Sequence, residues 1–263
     1  MMTTGTQRAT GLAFDDEGSG TPVVFVHGLT FDRRTWRPII ARLDGTARTV
    51  TIDLPGHGQS AGGPATLEQL ADGVHHLVTS LEIERPIIVG HSFGAALVCC
   101  YASIHPCLGL VTVDDGPVVR PFAEFLQGLA PALRGPGFGR AWETIEASLG
   151  LERLREPVRS LVLASHRVEQ STVLGYWQQA LSTDPAVLQQ YIDQQLSRIS
   201  VPWLAVFGRP VTTGEWERLD RTPDPQVEEW SDAGHFVHLV DVDRFTDRLR
   251  RFIDHCTTAT SPG

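Results

Sequence analysis

The 263-residue chain contains no lysine and no asparagine, so its 22 basic residues other than histidine are all arginine. Without lysine, the chain cannot form a Schiff base through a lysine side chain, which excludes covalent pyridoxal phosphate chemistry, and it has no P-loop lysine. Without asparagine, it has no N-glycosylation acceptor and no asparagine side chain for an oxyanion or halide site. Any catalysis must therefore rely on other side chains.

Cysteine is also scarce, with four residues at Cys99, Cys100, Cys107 and Cys256. They form neither a C-x-x-C pair nor the spacing of metal ligands. Cys99 and Cys100 are predicted to pack in the core as small apolar residues. The sequence thus predicts no metal site and no redox-active cysteine pair.

Long apolar runs and clusters of positive charge are missing as well. No apolar stretch approaches the roughly 20 residues that span a bilayer, and the N-terminal residues lack the apolar core of a signal peptide. The net charge of −9 disfavours nucleic acid and anionic membranes as partners. With 41% hydrophobic and 20% charged residues, the composition is that of an ordinary globular protein, which we expect to be cytoplasmic.

The most informative stretch is the pentapeptide Gly90-His91-Ser92-Phe93-Gly94. It follows the segment 85–89, which predicts a buried strand, and precedes a segment at 95–102 that predicts a helix. A G-x-S-x-G sequence between a strand and a helix is typical of a nucleophile elbow, a tight turn that exposes the serine hydroxyl. Because the motif is short, it indicates a nucleophile elbow only when further motifs of the same fold occur elsewhere in the chain.

Three companions occur in a consistent order along the chain. His27-Gly28 ends an apolar strand at 22–26, an Asp53-Leu54-Pro55-Gly56-His57-Gly58-Gln59-Ser60 turn follows the strand at 47–52, and His235 lies near the C-terminus. With these motifs the chain resembles the α/β-hydrolase family from about Gly11 to about His255. The resemblance implies an α/β fold with a mostly parallel central sheet, flanking helices and an inserted all-helical cap.

Strand–helix alternation organises most of the chain and supports a parallel sheet with right-handed crossovers. Between about 118 and 199 strand-like runs disappear, and helices are predicted at 121–129, 138–149, 157–167, 172–181 and 185–198. We predict a hydrolase core at 1–117 and 200–256, a helical cap at 118–199 and a disordered tail at 257–263. Further helices are predicted at 35–43, 66–81 and 241–255, and Thr66 with Gln69 predicts a capping box.

The predicted nucleophile is Ser92, and the predicted base is His235, because a serine hydroxyl needs an adjacent base at neutral pH. The sequence identifies the acid less directly, since the turn at 207–213 lacks the carboxylate that most family members carry there. A minority of members carry the acid after the strand that follows the nucleophile helix, and this chain has Asp114 at that position. Asp114 is the predicted acid, with Glu215 and Asp115 as alternatives.

The resemblance also implies an oxyanion hole formed by the backbone N–H groups of Leu29 and Phe93. Some residues could line a substrate pocket, although the same side chains also suit core packing or loop anchoring. His238 and His27 are expected to be structural. The candidate pocket residues are His27, Trp36, Trp142, Tyr176 and Trp177.

These residues predict a serine hydrolase that cleaves a small, largely apolar ester or lactone through an acyl-enzyme, without a metal or organic cofactor. Ser92 argues against dehalogenase and epoxide hydrolase chemistry, which use an aspartate at the elbow. A cofactor-free carbon–carbon bond hydrolase, a haloperoxidase-like enzyme and a non-catalytic ligand-binding protein of the same fold stay open as alternatives. The expected partner is a small-molecule substrate, and the protein is expected to be a monomer or a homodimer.

Overall fold

The computed structural model describes residues 3–6, 11–43 and 45–258, which form an eight-stranded sheet with helices on both faces. Its strands are β1 (Thr3–Thr6), β2 (Ala13–Gly18), β3 (Thr21–Val26), β4 (Ala47–Ile52), β5 (Ile87–His91), β6 (Gly109–Val113), β7 (Trp203–Phe207) and β8 (Pro225–Glu229). The strand order is β1-β2-β4-β3-β5-β6-β7-β8, with β2 antiparallel to both of its neighbours and all other pairs parallel. The predicted α/β class is confirmed.

The helices lie between the strands and after the last one. They are α1 (Arg37–Leu43), α2 (Leu67–Ser80), α3 (Phe93–Ile104), α4 (Arg120–Arg134), α5 (Phe138–Ala147), α6 (Val158–Ala164), α7 (Gln170–Tyr176), α8 (Gln178–Ser182), α9 (Pro185–Leu196), α10 (Thr213–Leu219), α11 (Val237–Val240) and α12 (Val242–Thr258), with short 3₁₀ turns at Arg33–Trp36 and Leu151–Arg153. No helix in the described part of the chain is long and apolar enough to span a bilayer.

The two faces of the sheet are covered by different helices, which explains the continuous apolar runs of the central strands. On β3, Val24 and Val26 belong to the core that contains α2 and α3, whereas Val23 and Phe25 belong to the core that contains α1 and α12. All four side chains are fully buried. Because both faces are covered, the sheet is a rigid platform whose parallel strands present their carboxyl ends at one edge.

All regular elements between β6 and β7 are helical among the described residues, and we call the segment Arg120–Leu196 the helical insertion. The helices predicted there are confirmed, with one difference: the segment predicted as a single helix at 172–181 forms two, α7 and α8. Their boundary lies at Trp177, whose N–H still bonds to the carbonyl of Val173. The domain boundaries at 118 and 199 stay a prediction.

The two chain ends differ from the sequence-based prediction. Strand β1 was not predicted, and it pairs with β2 through its backbone. Helix α12 continues to Thr258, so the predicted disordered tail starting at 257 is wrong for its first two residues. The hydroxyls of Thr257 and Thr258 bond to carbonyl groups one turn earlier and extend the helix. The remainder of the predicted tail, 259–263, lies outside the described residues.

Helix α2 begins with the predicted capping box, which is confirmed. Thr66 Oγ1 accepts from the Gln69 N–H at 3.3 Å, and Gln69 Oε1 accepts from the Thr66 N–H at 3.1 Å. The two bonds satisfy N–H groups that have no partner within the helix.

Replacing Thr66 with alanine should lower the free energy of unfolding by about 1 kcal/mol, because the first turn loses its side-chain acceptor. Equilibrium urea unfolding measures this difference. Thr66→Ser keeps the hydroxyl and should retain most of the stability. An equal loss in both variants would attribute the effect to the threonine methyl group and contradict the capping role.

Candidate active site

Ser92 occupies the tight turn between β5 and α3 in a strained conformation, with φ 53° and ψ −125°. A Cβ atom on Gly90 would lie 2.1 Å from the carbonyl oxygen of Gly94, and one on Gly94 would lie 2.5 Å from that of Val26. Only glycine fits at both positions. Such strain is maintained when surrounding structure fixes it, and it is frequent at catalytic residues.

His235 and Asp114 form the central side-chain contact of the site. His235 Nδ1 lies 2.9 Å from Asp114 Oδ2, and Asp114 Oδ1 accepts from the Gly208 N–H at 2.8 Å. The carboxylate therefore favours the tautomer with the proton on Nδ1, which leaves Nε2 as an acceptor. Asp114 is also fixed by its backbone, since its N–H donates to the Val206 carbonyl at 2.8 Å.

Glu215, the first alternative acid, is engaged away from His235. Its carboxylate accepts from both terminal nitrogens of Arg209, at 2.6 and 3.0 Å, and from the N–H and hydroxyl of Thr212, each at 2.8 Å. These bonds and the Arg209 charge hold the pKa of Glu215 below its usual value, although burial opposes them as the largest single influence. Glu215 therefore caps α10 and anchors Arg209.

Asp115, the second alternative acid, points to another environment. Its Oδ1 accepts from the Gly116 N–H at 2.9 Å, and the residue lines a cavity of about 60 Å³ together with Thr112, Cys99 and Tyr191. Burial raises the pKa of Asp115 to about 7. Of the three carboxylates, Asp114 is the one whose hydrogen bond to His235 is observed.

His91 connects the turn at Ser92 to the loop that carries His235, a role that sequence reasoning did not predict. Its Nε2–H donates to the backbone carbonyl of His235 at 2.9 Å. Its ring centroid lies 4.7 Å from those of both His235 and His238. The position of His91 directly before Ser92 was the available signal, but the partner could not be read from sequence.

The loop after β3 lies against Ser92, the predicted nucleophile. A Cβ atom on Gly28 would lie 3.2 Å from Ser92 Cβ, so the backbone that leads to Leu29 passes directly beside the elbow. Phe93 is the first residue of α3 on the other side of Ser92. The structure thus places the two predicted oxyanion-hole residues in the segments that flank Ser92.

His27 and His57 fix the loop after β3 through hydrogen bonds to its backbone. His27 Nδ1–H donates to the Gly28 carbonyl at 2.8 Å, and its Nε2 accepts from the Leu54 N–H at 3.0 Å. His57, for which sequence reasoning gave no role, accepts from the Thr30 N–H at 3.1 Å. His27 is fully buried, and both of its ring nitrogens bond to backbone groups. This candidate pocket residue is therefore a core residue.

Trp36 is a second candidate pocket residue that the structure places in the core. Its side chain is fully buried, with the ring centroid 5.1 Å from that of Phe25 and 4.7 Å from that of His238. Phe25 and His238 enclose the indole on the face of the sheet that α1 and α12 cover, so Trp36 anchors the 3₁₀ turn instead of lining a pocket.

The remaining candidate pocket residues, Trp142, Tyr176 and Trp177, lie in the helical insertion. The Tyr176 hydroxyl donates to the Pro55 carbonyl at 2.7 Å, and its ring meets that of Phe93 edge-on at 4.9 Å. Trp142 and Trp177 are nearly buried, at 7% and 8% exposure, and their rings stack at 6.0 Å. The insertion therefore brings the Tyr176 ring into contact with Phe93, the residue after Ser92.

Within residues 3–6, 11–43 and 45–258, no group of three or more His, Cys, Asp or Glu side chains is arranged to hold a metal ion.

Comparison with known proteins agrees with this architecture. Residues 23–248 match the Alpha/beta hydrolase family, and the chain belongs to that family. It is 29% identical over 262 residues to the pimeloyl-(acyl-carrier protein) methyl ester esterase of Pectobacterium atrosepticum, covering 92% of this chain and 98% of the relative.

Solved structures of the same fold include two enzymes that act on lactones. One is Est816, described as an N-acyl homoserine lactone degrading enzyme, with a TM-score of 0.73 and 22% identity over 92% of this chain and 96% of that one. The other is the enol-lactonase from Burkholderia xenovorans, with a TM-score of 0.69 and 23% identity over the same shares of the two chains. Their likeness to this chain establishes the fold.

Four buried histidines around the site are held in the neutral form. Burial lowers the pKa of His27 and His57 to about 4 and that of His238 to about 3. Burial likewise lowers the pKa of His91 well below its usual value, with the charges of His235 and His238 acting in the same direction. Because the unfolded chain protonates these groups near pH 6.5 and the folded chain does not, stability is lost as the pH falls below that value.

Replacing His238 with phenylalanine should make the fold less sensitive to acid. Between pH 7.5 and 5.5 the wild type should lose about 1.4 kcal/mol more stability than His238→Phe, because one proton-binding site of the unfolded state is removed. Urea unfolding at the two pH values measures the difference. Phe245→Leu, which changes the packing beside His238 without removing a titratable group, is the control and should follow the wild-type dependence. Parallel losses in His238→Phe and wild type would mean that His238 is protonated in the folded state.

Proposed function

We propose that this chain is a serine hydrolase that cleaves a small, largely apolar ester or lactone through an acyl-enzyme. The observation that carries the proposal is the hydrogen bond between His235 Nδ1 and Asp114 Oδ2, at 2.9 Å, beside a strained serine at a nucleophile elbow. In such an arrangement the carboxylate orients the histidine, and the histidine acts as the base that activates the serine hydroxyl group.

In the acylation step, Ser92 Oγ attacks the carbonyl carbon of the ester while His235 Nε2 takes the hydroxyl proton. The carbonyl oxygen becomes an oxyanion, which accepts hydrogen bonds from the backbone N–H groups of Leu29 and Phe93. Asp114 stabilises the imidazolium and keeps the ring oriented. The intermediate then collapses, the bond to the leaving oxygen breaks, and His235 donates its proton to that oxygen.

In the deacylation step, His235 accepts a proton from water, and the hydroxide attacks the acyl carbon. A second oxyanion forms in the same hole and collapses, which breaks the bond to Ser92 Oγ. His235 returns the proton to the serine, and the carboxylic acid leaves. For a lactone, the leaving alcohol stays attached to the acyl group, so the product is a single hydroxy acid.

The helical insertion supports an apolar substrate, and we propose that it acts as a cap over the site. Tyr176 contacts Phe93, and Trp142 and Trp177 lie next to each other in the same layer. A pocket lined by aromatic rings with few polar groups suits an uncharged organic group. The esterase and lactonase activities of the relatives agree with an ester or lactone substrate.

Ser92→Ala should abolish hydrolysis of a p-nitrophenyl ester series from acetate to long acyl chains, with kcat at least about 10³-fold lower, because the nucleophile is lost. Release of p-nitrophenol measures the rate, and the preferred chain length gives the size of the acyl site. The exposed Ser231→Ala is the matched control. Equal turnover by Ser92→Ala and wild type would place the reaction elsewhere or show that no enzyme-dependent reaction occurs.

Asp114→Asn should lower kcat by about 10²- to 10⁴-fold, since the histidine loses the carboxylate that fixes its tautomer. Glu215→Gln should leave kcat close to that of wild type, because its carboxylate is bonded to Arg209 and Thr212. Steady-state kinetics on one ester, with circular dichroism to verify folding, compare the two. A large loss in Glu215→Gln with little change in Asp114→Asn would move the acid to the later turn.

A further inference from the structure

Two ring nitrogens of the helical insertion are buried without a hydrogen-bond partner among the described residues, namely Trp142 Nε1 and His166 Nε2. Trp142 is 7% exposed, and the His166 side chain is 9% exposed. A buried polar atom without a partner costs about 1–3 kcal/mol, and most such atoms in folded proteins are paired. Trp36 and His238 also carry unpaired ring nitrogens, but those two side chains are enclosed in the core, whereas Trp142 and His166 belong to the helical insertion.

The two rings are neighbours in the layer that faces the catalytic loops. Their centroids are 6.1 Å apart, with the planes tilted by 34°. His166 stacks on Phe31 at 4.6 Å, and Phe31 lies two residues after Leu29 in the loop beside Ser92. The next residue, Arg167, donates its N–H to the Thr30 carbonyl at 2.8 Å. The segment that carries His166 is thus attached to the predicted oxyanion loop.

The chemistry of the two nitrogens is complementary. An indole N–H is a donor only. His166 Nδ1 lies 3.3 Å from Glu146 Oε1, and the negative charge of this carboxylate favours the ring proton on Nδ1, which leaves a lone pair on Nε2. The pair therefore offers one donor and one acceptor. A hydroxyl group satisfies both, because its oxygen can accept from Trp142 while its proton is donated to His166, whereas an ether oxygen would satisfy Trp142 alone.

We propose that Trp142 and His166 form a polar subsite that binds a hydroxyl group of the substrate, within an otherwise aromatic layer. The inference rests on the proposed ester or lactone hydrolysis and narrows it to hydroxylated substrates. The subsite contributes specificity, since neither residue takes part in proton transfer at the carbonyl. Two fixed hydrogen bonds in a buried site discriminate strongly against an analogue that leaves both nitrogens unpaired.

The test compares esters that differ by a single hydroxyl group. Methyl 3-hydroxybutyrate and methyl 6-hydroxyhexanoate carry the hydroxyl on the acyl side, and 2-hydroxyethyl butyrate carries it on the alcohol side. Methyl butyrate, methyl hexanoate and propyl butyrate are their counterparts, and hydrolysis is followed in a pH-stat. At least one hydroxy ester should exceed its counterpart by about tenfold or more in kcat/KM, the ratio expected from the net value of a hydrogen bond.

Variants that lack one of the two ring nitrogens show whether these atoms cause the preference for the hydroxy ester. Trp142→Phe and His166→Phe should each reduce that ratio to near one, whereas Trp177→Phe, which removes an indole N–H from the neighbouring tryptophan, should keep it. Trp142→Phe should also fold with undiminished thermal stability, because it removes an unpaired buried N–H group. If His166→Phe does not fold, His166→Gln takes its place and should also lower the ratio.

The proposal is overturned if wild type prefers none of the hydroxy esters, or if the preference survives in both Trp142→Phe and His166→Phe. The two nitrogens would then bind solvent or take part in internal packing only.

Failure of the proposed function gives a different result, since no ester would be hydrolysed in a Ser92-dependent manner. In that case calorimetric binding of the same esters to wild type and Trp142→Phe decides: tighter binding of a hydroxy ester by wild type alone supports the subsite, and equal binding rejects it.

Discussion

The site depends on the close approach of backbone at the turn between β5 and α3. Ser92 can adopt its strained conformation because Gly90 and Gly94 leave room for neighbouring carbonyl groups. The turn is held on one side by the bond from the Ser92 N–H to the Val113 carbonyl at 3.0 Å. Since Val113 directly precedes Asp114, the same strand ends position Ser92 and Asp114, and a shift in one would displace the other.

The histidines illustrate how burial determines what a side chain can do. His27, His57 and His91 use ring nitrogens to hold backbone groups, and burial keeps them neutral. His235 has a partly exposed side chain at 20% and a carboxylate partner. His27 and His57 are bonded to the backbone through both ring nitrogens and act as scaffold residues, whereas His235 is oriented through Nδ1 and keeps Nε2 for chemistry. This difference separates the candidate base from His27 and His57.

Much of the fold could be predicted because its signals are local. The apolar runs of β3 and β5 and the capping pair Thr66–Gln69 are readable in a few consecutive residues. Helix α10 could also have been predicted, since Thr212 and Glu215 repeat the capping spacing, whereas the short β1 has no apolar alternation to reveal it. Which way Trp36 or Trp142 faces could not be predicted, because aromatic residues at helical spacing suit a core and a pocket equally well.

Asp114 and His235 are 121 residues apart in the chain, with the entire helical insertion between them. Their hydrogen bond can form only after β6, β7 and β8 have assembled in register and the insertion has folded back between β6 and β7. Catalytic competence would therefore be among the last properties acquired during refolding, later than the backbone signal of the sheet. An activity recovered from denaturant would therefore report the assembly of β6, β7 and β8 around the helical insertion.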